Sequence, residues 1–188
     1  DIEGGRTTRM TDTKGRSEYS PKVMPKGKTF STVTVEEDSI QRIWSFPLEK
    51  EAKGKVLMSK IDSVGYYEWY HKKRLAMIIL TQPFSLQRTH KGKQKPKVMA
   101  ERIGRCILMQ GGTDTLSFVQ KETEDDWYIK TWHPLEGNIR KLVRTLPGQE
   151  DFCWTPAGEL LMGDGEKLYL RNPYEDTNWK EIGEPGVG

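Results

Sequence analysis

Short apolar runs separated by polar turns recur along the whole chain, and the clearest example lies at residues 150–171. Phe152 to Trp154 is one run, Thr155-Pro156-Ala157-Gly158 a turn, and Leu160 to Met162 a second run. Pro156 pre-sets φ for that turn, and Gly158 is free to take a positive φ. Gly163-Asp164-Gly165 turns the chain into Leu168-Tyr169-Leu170, and a polar loop leads on to Trp179 to Ile182. Aromatic and aliphatic residues in runs this short suit a pleated surface. Thr29 to Val35 alternates apolar and hydroxyl residues, the mark of a half-buried strand. Ile40 to Phe46 follows it and stops at Pro47, which cannot donate to a ladder. Val56 to Ile61 reads as the next strand, and Arg6 to Thr11 as the last strand of a preceding unit. Leu75 to Leu80 is apolar throughout, which predicts a strand buried on both faces. Phe84 to Thr89, Lys97 to Ile103, Leu116 to Val119, Trp127 to Trp132 and Ile139 to Leu146 complete the set.

These runs fall into a repeat. Ser20 to Gly27 superposes on Asp151 to Gly158, placing Pro25 on Pro156 and Gly27 on Gly158. Tyr66 to Trp69 fits the same frame with Trp69 on Trp154, and Arg105 to Leu108 fits it with Gly111-Gly112 at the turn. Unit starts near residues 20, 66, 105 and 151 are spaced 46, 39 and 46 residues apart. Four short strands at a period near 40–45 are the sign of a β-propeller. The expectation is therefore an all-β fold of four-stranded antiparallel blades: one partial propeller over 1–183, with about four blades present and 184–188 as a tail.

Composition changes this picture little. The chain has 30 basic and 27 acidic residues, a net charge of +3, and a mean hydropathy of −0.74. So balanced a charge does not suggest a nucleic-acid binder. The basic run from Arg88 to Lys97 reads as a solvated hairpin tip. No apolar run approaches transmembrane length. Cys106 and Cys153 fall in first strands and read as two small buried thiols, with a disulfide as the alternative if the chain is exported. No Cys/His cluster has metal-ligand spacing, and no cofactor is expected. Most of the tryptophans fall on strands, where large rings fill the gaps between blades.

Ser17-Glu18-Tyr19-Ser20-Pro21, Met24-Pro25-Lys26-Gly27-Lys28, Val64-Gly65-Tyr66, Ile103-Gly104-Arg105 and Glu150-Asp151-Phe152 with Trp154-Thr155-Pro156-Ala157-Gly158 resemble the WD-like propeller repeats of TolB type. Lys26 and Ala157 stand where that family's turn carries Asp, and Tyr67 where similar proteins often carry His. The resemblance implies a six-bladed propeller, a periplasmic or cell-envelope location, and a role in holding a protein or peptide partner.

Repeat-equivalent residues before each innermost strand ring one mouth of a propeller's channel. Here they supply Glu18, Tyr19, Ser20, Tyr66, Arg105, Glu150 and Asp151 as candidate binding residues, with Gly65 and Gly104 leaving room for close approach. Arg105 is the natural anchor for a carboxylate, because its planar fork engages two oxygens at once. The alternative is that Arg105 pairs with Asp151 or Glu150 within the fold. A non-enzymatic scaffold for a protein or peptide is the leading reading. The other class is a substrate-gating propeller domain of a hydrolase or peptidase, or a propeller hydrolase using carboxylates. Gly-x-Ser-x-Gly, HExxH, P-loop and GxGxxG motifs are all lacking, while sequence cannot pair carboxylates.

Overall fold

The computed structural model describes residues 4, 5, 7–49, 51–91, 93 and 95–184. Among these there is no helix, and sixteen strands form four sheets of four strands, each in simple up-and-down order. The first sheet is β1 (Ser17–Val23), β2 (Thr29–Val35), β3 (Gln41–Pro47) and β4 (Lys55–Val56). The second is β5 (Val64–His71), β6 (Arg74–Ile79), β7 (Ser85–His90) and β8 (Lys97–Glu101). The third is β9 (Ile103–Met109), β10 (Leu116–Lys121), β11 (Trp127–Trp132) and β12 (Ile139–Arg144). The fourth is β13 (Phe152–Trp154), β14 (Leu160–Gly163), β15 (Leu168–Arg171) and β16 (Lys180–Gly183). Each sheet is one blade of a partial β-propeller.

The chain divides into two compact units, residues 1–81 with 87–97, and 82–86 with 98–188. The first is cored by Val33, Ile43, Met58, Val64, Tyr67, Leu75 and Met77. The second is cored by Val119, Ile129, Val143, Phe152, Leu160 and Met162. The apolar run of β6 is buried from Leu75 through Ile79, as its lack of alternation required.

The repeat is visible in the hairpin turns between first and second strands. Backbone N–H groups of Met24, Gln110 and Thr155 bond to the carbonyls of Thr29, Thr115 and Glu159. Returning bonds run from Gly27, Thr113 and Gly158 to Met24, Gln110 and Thr155. Gln110 thus takes the place of Met24 and Thr155, so Cys106 rather than Arg105 stands at the position of Ser20 and Asp151. The register read from the glycines is one residue off, because the left-handed glycine of this turn, Gly112 at φ 72°, sits one place earlier than Gly27 or Gly158.

A second repeated device links consecutive first and second strands within each unit. The Trp69 indole N–H donates to Ser31 Oγ at 2.9 Å, and that of Trp154 to Ser117 Oγ at 2.8 Å. Ser31 and Ser117 are both fully buried, and each hydroxyl donates onward to a carbonyl of its own blade, Lys22 at 3.4 Å and Leu108 at 3.0 Å. Trp69 and Trp154 are therefore equivalent, as the turn alignment predicts, although Trp154 is only half-buried.

Four expectations are corrected. Both cysteines are thiols rather than a disulfide, but Cys106 is only half-buried and Cys153 is exposed, since its strand neighbours Phe152 and Trp154 take the core-facing side. Residues 7–10 form no strand, and only Thr11 bridges, in parallel, to Ala52; Arg6 lies outside the described residues. Hydrogen bonds from Glu51 and Ala52 to the Arg9 and Met10 carbonyls hold this segment. The strand expected at Val56 to Ile61 is only Lys55–Val56; Met58 and Ile61 fill the core from a turn closed by Ile61 N–H to Met58 O at 3.2 Å. The run Lys97 to Ile103 is broken at Arg102, whose φ of 57° ends β8 and frees Ile103 to begin β9.

Candidate functional site

The seven candidate binding residues fall in both units. In the first, the Glu18 carboxylate accepts hydrogen bonds from Thr11 Oγ1 at 2.8 Å and Thr13 Oγ1 at 2.5 Å, so it fastens the N-terminal segment to β1. Glu18 also lines a largely apolar groove of about 410 Å³ with Met10, Pro21, Val23, Phe30 and Leu48. Tyr19 is exposed. Ser20 sits in a bulge of β1 with φ 51°, and its carbonyl accepts the Tyr67 hydroxyl at 3.1 Å. That hydroxyl also meets Ser31 Oγ at 2.9 Å, and burial pushes the Tyr67 phenol well above its usual pKa. Tyr66 is half-buried on β5.

In the second unit Arg105, Glu150 and Asp151 are brought together. Arg105 Nε lies 3.3 Å from Glu150 Oε1, and its Nη2 lies 3.1 Å from Asp151 Oδ2. The other Glu150 oxygen, Oε2, accepts from Lys121 Nζ at 2.8 Å. Gly104 makes this packing possible, since a Cβ there would lie 2.7 Å from Glu150 Oε2. Glu150 is largely buried whereas Arg105 and Asp151 are more than half exposed, so the cluster is anchored inside and open outside.

Lys121 carries the cluster into a neighbouring cleft. Its ammonium sits 4.0 Å from the centre of the Trp127 ring, and both residues line an open cleft of about 500 Å³ with Gln82, Pro83, Phe84, Arg102 and Ile103. Arg102 holds a left-handed backbone, costly for a residue with a Cβ. Three hydrogen bonds impose it: Lys121 N–H to Arg102 O at 2.8 Å, Arg102 Nη1 to Glu122 O at 2.8 Å, and Ile103 N–H to Phe84 O at 3.2 Å. Hydrogen bonds from Lys130 and Lys141 hold the Glu122 carboxyl below its usual pKa. The Trp127 indole nitrogen is buried with no hydrogen-bond partner, which is uncommon for a ring of this size.

The cleft offers aromatic and proline walls, the cations Arg102 and Lys121 and the acid Glu124, while Glu150, engaged by two cations, joins it only through Lys121. It suits the holding of a ligand that brings apolar groups and a carboxylate. Glu150 is poorly arranged as a base, because a carboxylate whose two oxygens are both engaged must release a cation to take a proton. Among the described residues no group of three His, Cys, Asp or Glu is placed to hold a metal ion. No helix of the described residues is long and apolar enough to cross a membrane.

Sequence reasoning found Arg105, Glu150 and Asp151 but missed Arg102, Lys121 and the cleft face of Trp127. Trp127 reads as a core filler, and it does pack on the second core with one part of its ring. Arg102 carries no local turn signal.

No protein-family profile matches this chain, and no curated protein matches it. Its backbone does recur among solved structures. It is similar to a puromycin-hydrolyzing peptidase of Mycobacterium tuberculosis, with a TM-score of 0.60 and 11% identity over 91% of this chain and 30% of that one. The shared architecture is the β-propeller. A periplasmic gluconolactonase of Pseudomonas aeruginosa superposes with a TM-score of 0.57 and 12% identity, over 97% of this chain and 59% of that one. An acylaminoacyl peptidase of Pyrococcus horikoshii gives 0.55 and 12%, over 93% and 33%. The chain spans less than two thirds of the length of each, and at such identity the likeness is one of fold alone.

Proposed function

We propose that this chain is the propeller portion of a hydrolase and that it holds a peptide substrate rather than cleaving it. Arg102, Lys121 and Trp127 form the holding cleft in this reading, and Arg105 exchanges its exposed Asp151 partner for a peptide carboxylate. Glu150 and Asp151, which hold Arg105 and Lys121 in place, complete the set on the same unit. The observation that carries the proposal is the Glu150 carboxylate gripped on both oxygens while its cation Lys121 opens onto an aromatic cleft. That arrangement favours recognition over proton transfer. Peptidases and a gluconolactonase among similarly folded proteins favour a hydrolase context over a scaffold with no enzyme, and the peptidases favour a peptide as the thing held.

The test combines binding and turnover on the purified chain. Fluorescent peptides with a free C-terminal carboxylate should bind and change Trp fluorescence, while their C-terminal amides bind more weakly. Arg105→Ala should weaken capture roughly ten- to hundredfold, the loss of hydrogen bonds to a charged group. Its melting temperature should hold, since an ion pair this exposed contributes about 0–1 kcal/mol. Hydrolysis of peptide anilides or gluconolactone by this chain, lost on Glu150→Gln, would refute the holding role.

A further inference from the structure

A smaller concavity of about 250 Å³ lies where the turn before β10, the end of β11, the start of β12 and the β15–β16 loop meet. We propose that it is a binding site for a single neutral sugar ring. Its lining brings hydroxyl, amide and imidazole groups of Thr115, Thr131, Gln110, Asn138, His133 and Tyr174 together with Leu142 and with the charged Glu136, Arg140 and Lys141. Polar groups set in apolar surface suit a ligand that carries both hydroxyls and C–H faces, as a sugar ring does. Its volume corresponds to roughly eight waters at about 30 Å³ each, enough for one monosaccharide ring.

Three observations favour that occupant. His133 Nδ1 is buried with no hydrogen-bond partner, although its backbone carbonyl is bonded to the Gly137 N–H at 2.9 Å. A buried ring nitrogen left in this way calls for a partner. A sugar hydroxyl can donate or accept, so it satisfies Nδ1 in either tautomer, which a purely anionic or purely cationic ligand does not. Tyr174 exposes 67% of its surface, and its hydroxyl is held by Gln110 Nε2 at 3.2 Å. The tethered ring presents a face against which sugar C–H groups stack. The two lining cations are already engaged. Arg140 bonds Glu136 at 2.9 Å and Lys141 bonds Glu122 at 2.6 Å, so the hollow has no surplus charge to match an acid.

This site shares no lining residue with the Lys121–Trp127 cleft, and it stands whether or not the peptide-holding role does. The experiment is saturation-transfer NMR and calorimetry on the whole chain with D-glucose, D-galactose and D-mannose, and with D-gluconate and inorganic phosphate as charged probes. At least one neutral sugar should bind with a Kd on the order of millimolar. Tyr174→Ala and His133→Phe should each weaken that binding at least tenfold, and Tyr174→Ala, at an exposed ring, should leave the melting temperature unchanged. The proposal is overturned if none of the three sugars shows transfer at tens of millimolar. It is equally overturned if binding survives Tyr174→Ala in the folded protein, or if gluconate or phosphate binds more tightly than every neutral sugar, which would make this an anion site of Arg140 and Lys141.

Discussion

Replacing Ser31 by alanine should cost far more than the loss of one oxygen suggests. Ser31 is fully buried on β2, and its hydroxyl accepts from both the Trp69 indole and the Tyr67 phenol at 2.9 Å. In Ser31→Ala the Trp69 N–H has no alternative partner, and at 7% exposure its residue cannot turn to water. An orphaned buried donor costs about 1–3 kcal/mol. Tyr67 keeps the Ser20 carbonyl at 3.1 Å, so its share is smaller, about 0.5–1 kcal/mol. The onward bond to Lys22 O is long at 3.4 Å and adds little. The total is roughly 2–4 kcal/mol. Ser117→Ala is the internal control. It orphans one donor, on the half-buried Trp154, where water can substitute, and should cost about 1–2 kcal/mol. Urea denaturation followed by far-ultraviolet circular dichroism measures both. A cycle with Trp69→Phe should show about 1 kcal/mol of coupling, because that substitution removes the donor that Ser31→Ala leaves stranded. A Ser31→Ala loss under about 0.5 kcal/mol, or strict additivity in the cycle, would mean that the hydroxyl is not the hub of this network.

Gly104→Ala should destabilise by about 1–3 kcal/mol through overpacking and weaken peptide capture as Glu150 is pushed off Lys121, since its Cβ would lie 2.7 Å from Glu150 Oε2 and 3.2 Å from buried Val119. Gly111→Ala, with nothing within 4 Å, is the matched control and should change stability by under about 0.5 kcal/mol in the same denaturation. Tyr67 supplies a pH dependence: burial raises its folded pKa above the usual phenol value of 10.0, so the stabilisation is fully present below pH 10.0 and is lost as pH rises beyond it towards the folded value. Melting temperatures measured across that alkaline range should fall in the parent and fall less steeply in Tyr67→Phe; equal slopes would show that the phenol is not shielded.

Much of the architecture is legible along the chain because strands and turns are local events. Thr29–Val35, Trp127–Trp132 and Phe152–Trp154 are strands with the bounds their residue patterns predict. The equivalence of Trp69 and Trp154 is legible too, since both stand at a fixed offset from a hairpin turn. Failures come where a local pattern needs a distant partner to take effect. Thr7 to Met10 forms no strand and is held instead by Glu51 and Ala52 N–H groups on the Arg9 and Met10 carbonyls, and Met58 and Ile61 are apolar because the core needs them, not because a ladder does.

The site divides in the same way. Sequence alone placed Glu150 and Asp151 before an innermost strand, where β13 begins at Phe152, but Arg105 lies inside β9 and Cys106 is the repeat equivalent of Asp151. Only the tertiary structure decided what they touch. The Arg105–Asp151 contact spans 46 residues, and Glu150 is shared with Lys121 from a different strand. The strain at Arg102 comes from bonds that tie Arg102 to Lys121–Glu122 and its neighbour Ile103 to Phe84, two separate segments. Hydrogen bonds and ion pairs act over a few ångströms in space, whatever the separation along the chain. A one-residue slip in register, such as the one at Gly112, decides which side chain meets its partner.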